Sequence, residues 1–210
     1  MTDMTGALVR RLRGLVLAGL VLAITGCGDS ATLEPLPAGG TILAFGDSLT
    51  YGTGAREEES YPQVLAGLTG HPVVNAGVPG EVSAEGLRRL PALLEETRPS
   101  LVILCHGGND ILRKRSKSKA AANLGEMIRL AREAGAQVIL LGVPGFGLIL
   151  DTEPFYLEVA KAQSVPIEAE VIPDVLSDNN LKSDAVHPNA AGYARMAEAV
   201  REFLQDQGAL

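Results

Sequence analysis

The run Leu101-Val102-Ile103-Leu104-Cys105 is apolar at every position, and this continuity constrains the fold more than any other feature of the chain. A strand with one wet face alternates apolar and polar residues. An unbroken run suits a strand buried on both faces, which belongs in a parallel sheet covered by helices on each side. The run ends in His106-Gly107-Gly108-Asn109-Asp110, a cluster of turn formers.

Similar runs recur. Thr41–Phe45, Pro72–Asn75 and Gln137–Leu141 read as strands, and Val165–Val171 as a fifth, short or at an edge because of Pro166. Between them the apolar spacing turns helical: from Ser60 on (Tyr61, Val64, Leu65, Leu68), over 81–96 (Leu87, Leu90, Leu93, Leu94), over Ala120–Ala134, over Glu153–Gln163 and over Asn189–Gln205. Strands alternating with helices imply right-handed crossovers and an α/β, three-layer sandwich. Strand order does not follow from periodicity.

The N-terminus is a separate matter. Arg10, Arg11 and Arg13 precede an apolar run from Leu15 to Ile24. A basic segment and about 10 apolar residues make an export signal, whereas a membrane span needs about 20. The run closes as Ile24-Thr25-Gly26-Cys27, which resembles the lipobox of bacterial lipoproteins, with Ile where Leu is usual. That resemblance implies removal of residues 1–26, lipidation of Cys27 and a place on the periplasmic side of a bacterial membrane or on the cell surface. Residues 27–40 read as lipidated Cys and flexible tether, and 41–210 as the domain. Losing three Arg and one Asp takes the formal net charge from −7 to −9. An acidic chain whose only basic cluster is Arg113–Lys119 is no nucleic-acid binder, because phosphate neutralisation needs a broad basic face. Two cysteines, Cys27 and Cys105, make no disulfide framework.

The strand ends carry the chemistry. Strand one runs into Gly46-Asp47-Ser48-Leu49-Thr50, strand two into Gly77-Val78-Pro79-Gly80 and strand three into Gly108-Asn109-Asp110, while Asp184-Ala185-Val186-His187-Pro188 precedes the last helix. In a parallel sheet such loops share one edge, where sites are built. A hydroxyl nucleophile needs a base, and the base needs an orienter; Ser48, His187 and Asp184 are the candidates. A tetrahedral oxyanion needs preorganised donors, here the N–H of Ser48, a glycine N–H (Gly77 or Gly80) and the Asn109 amide. The order Ser, Asp, His without any G-x-S-x-G excludes the nucleophile elbow of α/β-hydrolases.

Together, Gly46-Asp47-Ser48-Leu49, Asn75-Ala76-Gly77-Val78-Pro79-Gly80, Gly107-Gly108-Asn109-Asp110 and Asp184-Ala185-Val186-His187-Pro188-Asn189 resemble the SGNH (GDSL) hydrolase superfamily, in its bacterial arylesterase, thioesterase and lysophospholipase branch. The resemblance covers about residues 40–205. It implies a flavodoxin-like sandwich of five parallel strands and a cofactor-free serine esterase. Its substrates would be aryl or acyl esters, with thioesters and lysophospholipids in range. It casts Ser48 as nucleophile, His187 as base, Asp184 as its partner and Asn109 as oxyanion donor. It places the oxyanion glycine at Gly80, with Gly77 supporting the turn, and puts Ile111 and Leu112 against an acyl chain. No metal ligand set is expected, and Glu57–Glu59 reads as a solvated face.

Of the remaining residues, Asp47 is expected to brace the Ser48 loop, Asp110 to serve a turn or cap, Cys105 to lie in the core and His71 at the surface. Cys105-His106 departs from the family pattern, and His106 is expected to pack beneath the site rather than tune it. The run Arg113–Lys119 reads as a solvated loop, with attraction of an anionic substrate or headgroup as the alternatives. Two rival functions stand beside the esterase. One is a carbohydrate O-acetylesterase, ranked lower because a chain with no Trp offers little for sugar stacking. The other is a non-catalytic ligand-binding lipoprotein, which a failure of Ser48 to react with a fluorophosphonate would favour.

Overall fold

The computed structural model describes residues 32–145, 147 and 150–210. The expected signal segment and Cys27 lie outside the described residues. Apolar runs form one parallel five-stranded sheet: β1 (Ile42–Gly46), β2 (Val73–Gly77), β3 (Leu101–Cys105), β4 (Gln137–Leu141) and β5 (Ile167–Glu168), in the order β2-β1-β3-β4-β5. Eight helices are described: α1 (Ser48–Tyr51), α2 (Tyr61–Thr69), α3 (Ser83–Thr97), α4 (Gly108–Leu112), α5 (Lys117–Glu133), α6 (Pro154–Gln163), α7 (Val171–Ser177) and α8 (Ala190–Asp206). Contacts among α2, α7 and α8 form one layer, and α3, α5 and α6 form the other. The three-layer α/β architecture is therefore as expected.

Residues 42–45 of β1 and all of β3 are buried, which accounts for their unbroken apolar character. Each large side chain so buried contributes roughly 1.5–3 kcal/mol relative to exposure. Three tyrosines, Tyr61, Tyr156 and Tyr193, are fully buried, and each hydroxyl finds a partner: Thr50 Oγ1 at 3.3 Å, and the carbonyls of His106 and Thr53 at 2.9 and 2.8 Å.

The strand order reverses between β1 and β3, and in open α/β sheets the crevice at that switch point is where ligands bind. Register sharpens this. Gly46 pairs with Gly77 on one side and with Cys105 on the other, so three strands end level and their loops start together. Only glycine fits at positions 46 and 77. A Cβ on Gly46 would overlap the Cys105 carbonyl and the Thr50 hydroxyl, and one on Gly77 would overlap the Tyr51 backbone.

The fifth strand lies within Val165–Val171 and is short and at the sheet edge, as expected: it spans Ile167–Glu168, and Val171 starts α7. Val171 and Ile172 share the apolar, β-branched character of a strand, but Glu168 accepts the N–H of Val171 and turns the chain into a helix. One expectation needs correction: the tether is shorter than expected. Leu33 N–H donates to the Gln207 carbonyl at 3.0 Å and Leu36 N–H to that of Ala209 at 2.9 Å. Glu34 and Gln137 exchange hydrogen bonds of 2.7 and 2.8 Å. Leu33 is buried. From Leu33 onward the segment is fastened to the domain, at the edge where β4 begins. Two leucines in a Pro- and Gly-rich stretch show no periodicity, so their packing was not legible. Among the described residues, no helix is long and apolar enough to cross a membrane.

Candidate active site

Beyond β1 the chain makes a single helical turn, α1, that starts at Ser48. Asp47 precedes it and accepts the N–H of Leu49 at 3.2 Å. Gly52 closes the turn in the left-handed conformation (φ +100°), its N–H on the Ser48 carbonyl. Tyr193 reaches the same carbonyl at 3.5 Å. The Ser48 side chain thus stands half-buried on a turn held at both ends.

His187 arrives from the other side of the sequence on a tight loop. Lys182 and Pro188 form an antiparallel bridge, and Ser183 binds the His187 carbonyl. Asp184 Oδ1 accepts the N–H groups of Val186 and His187 at 2.8 and 2.9 Å, leaving Oδ2 to accept His187 Nδ1–H at 2.8 Å. A carboxylate only accepts, so the imidazole proton sits on Nδ1. Nε2 is then the acceptor for the Ser48 hydroxyl, 3.0 Å away. Partial burial would push the Asp184 carboxyl up. The hydrogen bonds from His187 and Val186 outweigh it and hold Asp184 below the ordinary carboxylate range. The arrangement can take a proton from Ser48 and stabilise the imidazolium that results.

Asn109 lies in the first turn of α4, directly after Gly107 (φ +105°), whose left-handed conformation lets the chain turn off β3. Its amide donates one hydrogen to Asp47 Oδ2 at 3.2 Å, and the amide carries a second. Asn109, Ser48 and His187 wall one cleft. Gly80 (φ +78°) sits at the neighbouring strand end, not among the cleft walls, with its carbonyl accepting Arg113 Nη2 at 2.8 Å. Among the described residues, the backbone N–H groups of Ser48 and Gly80 donate to no other backbone carbonyl.

Residues 44–195 match the model of the GDSL-like lipase/acylhydrolase family. The chain belongs to that family. It is 33% identical to the esterase TesA of Pseudomonas aeruginosa over 203 residues, covering 88% of this chain and 97% of that one. It is 29% identical to thioesterase 1/protease 1/lysophospholipase L1 of Escherichia coli over 173 residues, 79% of this chain and 83% of that one. Among solved structures it resembles the psychrotrophic esterase EstA from Pseudoalteromonas sp., with a TM-score of 0.71 and 25% identity over 80% of this chain and 97% of that one.

The cleft of this GDSL-family chain is narrow, about 20 Å³, with Leu49, Leu112, Val143, Leu176 and Val186 as its apolar walls. Leu112, half exposed, also walls a neighbouring groove of about 410 Å³ that includes Ile111 and Lys117. Ile111 lines the groove but not the cleft. The basic run is partly tied down: Arg113 holds Gly80, and Lys117 pairs with Glu153 at 2.8 Å. Glu57–Glu59 forms a short exposed turn in which Glu58 and Glu59 pair with Arg56. Cys105 is fully buried, and burial pushes its thiol well above the ordinary value. His71 is half-buried and donates from Nδ1 to the Gly40 carbonyl. Asp110 is structural: its carboxylate accepts the Ser83 N–H and hydroxyl at 2.7 and 3.0 Å, joining α4 to the start of α3.

Sequence reasoning missed the cleft walls Val143, Leu176 and Val186, which sit in irregular or unexpected elements, and read Tyr193 only as core. It also missed Glu81 and Arg89: the Glu81 carboxylate meets both His106 and the Arg89 guanidinium. The signal available was an acidic residue directly after Gly80, followed by Arg89 on the next helix.

Asp47 is buried, and burial raises its carboxyl above the ordinary range by more than the hydrogen bonds from Leu49 and Asn109 lower it. A carboxyl whose pKa is higher in the folded state contributes stability that is present below its unfolded value and lost as pH rises through the folded value. Asp47→Asn removes that pH-dependent loss. The Tm difference, variant minus wild type, is therefore more positive at pH 7 than at pH 4 in thermal melts. A difference that does not change with pH would contradict the burial account.

Proposed function

We propose that this ester hydrolase works through an acyl-enzyme on Ser48. Ser48 Oγ attacks the ester carbonyl carbon while its proton passes to His187 Nε2. Asp184 holds the imidazolium. The N–H groups of Ser48 and Gly80 and the Asn109 amide receive the oxyanion. Collapse expels the alcohol, protonated by His187, and water then attacks the acyl group with His187 again as base. The observation that carries this reading is the continuous relay from Ser48 through His187 to Asp184, at 3.0 and 2.8 Å. Ser48→Ala is expected to abolish hydrolysis of p-nitrophenyl acetate, and full activity in that variant would end the proposal. Asn109→Ala should lower kcat by about 10²–10³-fold, whereas an unchanged kcat would remove Asn109 from the oxyanion hole.

The substrate class follows from the cleft. Its volume beside Ser48 is about 20 Å³, little more than the space a single water needs. Esters of short acyl groups suit it best. A longer acyl chain, in an ester, thioester or lysophospholipid, has to leave the cleft across Leu112 into the adjoining groove, which brings it against Ile111. This agrees with the names of the relatives, an esterase and a thioesterase/lysophospholipase. Replacing Leu112 by Ala is expected to reduce kcat/KM for p-nitrophenyl octanoate about tenfold more than for the acetate, the scale of a lost apolar contact. Equal losses on both esters would take Leu112 out of chain contact.

The lipoprotein reading of Cys27 adds an orientation. Leu33–Leu36 is fastened at the amino edge of the sheet, where β4 starts, and the Ser48, Gly80 and Asn109 loops stand at the carboxyl edge. A chain anchored at Cys27 on the periplasmic side or cell surface presents its catalytic edge away from the anchoring membrane. Cys27→Ser should move the protein from the membrane to the soluble fraction with its esterase activity intact; a variant that stays with the membrane would exclude this anchor.

A further inference from the structure

The carboxylate of Glu81 lies beneath the site and is nearly buried, at 8% exposure. It is the residue after Gly80. Arg89 Nε donates to its two oxygens at 2.8 and 2.9 Å, and Arg89 Nη2 to Oε2 at 2.7 Å. The same Nη2 donates to the Gly46 carbonyl at 3.1 Å and the Ala76 carbonyl at 2.9 Å, at the ends of β1 and β2. The guanidinium also lies 4.2 Å from the centroid of the Phe45 ring. On the other side, fully buried His106 faces Glu81 Oε2 from Nε2 at 3.0 Å, and its Nδ1 accepts the Gly107 N–H at 2.9 Å. Because Nδ1 accepts, the imidazole is neutral and its one proton is given to Glu81. Gly86 on α3 is glycine at this point because a Cβ there would overlap the His106 ring.

One carboxylate therefore joins three chain segments. Through Arg89 it reaches Gly46, two residues before Ser48. Along the chain Glu81 adjoins Gly80, and its own N–H closes that turn on the Val78 carbonyl at 3.2 Å. Through His106 and Gly107 it reaches the turn that presents Asn109. We propose that Glu81 is a positioning residue for the oxyanion hole, acting with Arg89 and His106 to set the spacing of the Ser48, Gly80 and Asn109 donors. The proposal rests on the oxyanion reading given above and goes beyond it, because neither Glu81 nor His106 is among the cleft walls.

The chemistry supports the assignment. Burial pushes the Glu81 carboxyl up, but the hydrogen bonds from His106 and Arg89 and the Arg89 charge more than reverse this, holding it at about 2. The group stays an anion able to accept from both partners throughout the neutral range. A buried ion pair is weak evidence for stability as such. Its value here is geometric, since a displacement of about 1 Å at a reacting centre can cost on the order of 10²-fold in rate. His106 is thus more than a packed residue, because its ring is the link between Glu81 and the Asn109 turn.

The test is Glu81→Gln, made both in the wild type and in Asn109→Ala, with kcat and KM measured on p-nitrophenyl acetate. Glutamine has one acceptor oxygen where glutamate has two and carries no charge, so keeping the His106 hydrogen bond at Oε2 turns its NH2 toward Arg89 Nε, donor against donor, and removes the anion that holds the guanidinium. The expected result in the wild type is a fall in kcat of up to about 10²-fold, with KM changed by less than about threefold. In the Asn109→Ala background the same substitution should cost at least about threefold less, since residues acting through one group are non-additive. Equal losses in the two backgrounds, or no loss in the wild type, would overturn the proposal. If Glu81→Gln does not fold, His106→Asn in the same two backgrounds carries the test. It keeps an acceptor for the Gly107 N–H and removes the link to Glu81 together with the ring that packs on Phe45. Activity in Ser48→Ala would instead overturn the esterase reading itself, so the two failures are distinguishable.

Discussion

The register of β1 against its two neighbours is the constraint on which the site depends. Gly46 stands opposite Gly77 and opposite Cys105. Ser48, Gly80 and Asn109 lie two, three and four residues beyond those positions. Parallel pairing places all three loops at one edge, and the reversal of strand order between β1 and β3 opens a crevice between two of them. A shift of one residue in either ladder would turn every side chain of a strand to the opposite face and separate the loops. The close approaches at Gly46 and Gly77, where no Cβ fits, and the packing on both faces of β1 and β3 oppose that shift. The same burial that holds the sheet together therefore sets the spacing of the groups above it.

Polar groups inside this edge are then arranged by what each can accept or donate. Asp184 uses one oxygen to fix its own loop and the other to fix the His187 tautomer. Asp47 orients Asn109 and caps the turn that carries Ser48. Asp110 ties α4 to α3. Glu81 joins β1, β2 and the Asn109 turn. Each carboxylate is placed against donors on the loops of this edge, so the four act as braces for one small region. Asp47 is held above its ordinary pKa and Glu81 below it because the first has hydrogen bonds too weak to offset burial and the second has a guanidinium beside it.

Much of this was legible in the chain. The fold class followed from five unbroken apolar residues at Leu101–Cys105 and their helical neighbours, because period and continuity report burial directly. Ser48, Asn109, Asp184 and His187 were legible because each sits in a short polar cluster just past an apolar run or before a helix. The structure brings Ser48, His187 and Asp184 into one relay and Asn109 into the same cleft. Only the family resemblance, not spacing, distinguishes Gly80 from Gly77. What escaped was tertiary. Glu81 and Arg89 look like ordinary surface charges of a helix, and only the fold brings His106 to them. Val143, Leu176 and Val186 lie in segments without periodicity. Leu33 and Leu36 dock on the C-terminus through contacts no local pattern encodes.

The account turns on whether Ser48 is an activated nucleophile. A related esterase is known in a form inhibited by monoethylphosphonate, and a phosphonate reagent offers the direct measurement here. The intact protein is treated with a fluorophosphonate at neutral pH, weighed by mass spectrometry, digested, and the modified peptide sequenced. The account predicts one adduct per chain, on Ser48, formed far more slowly when His187 is replaced by Ala. An unlabelled protein, or an adduct that persists at another residue in Ser48→Ala, would contradict it.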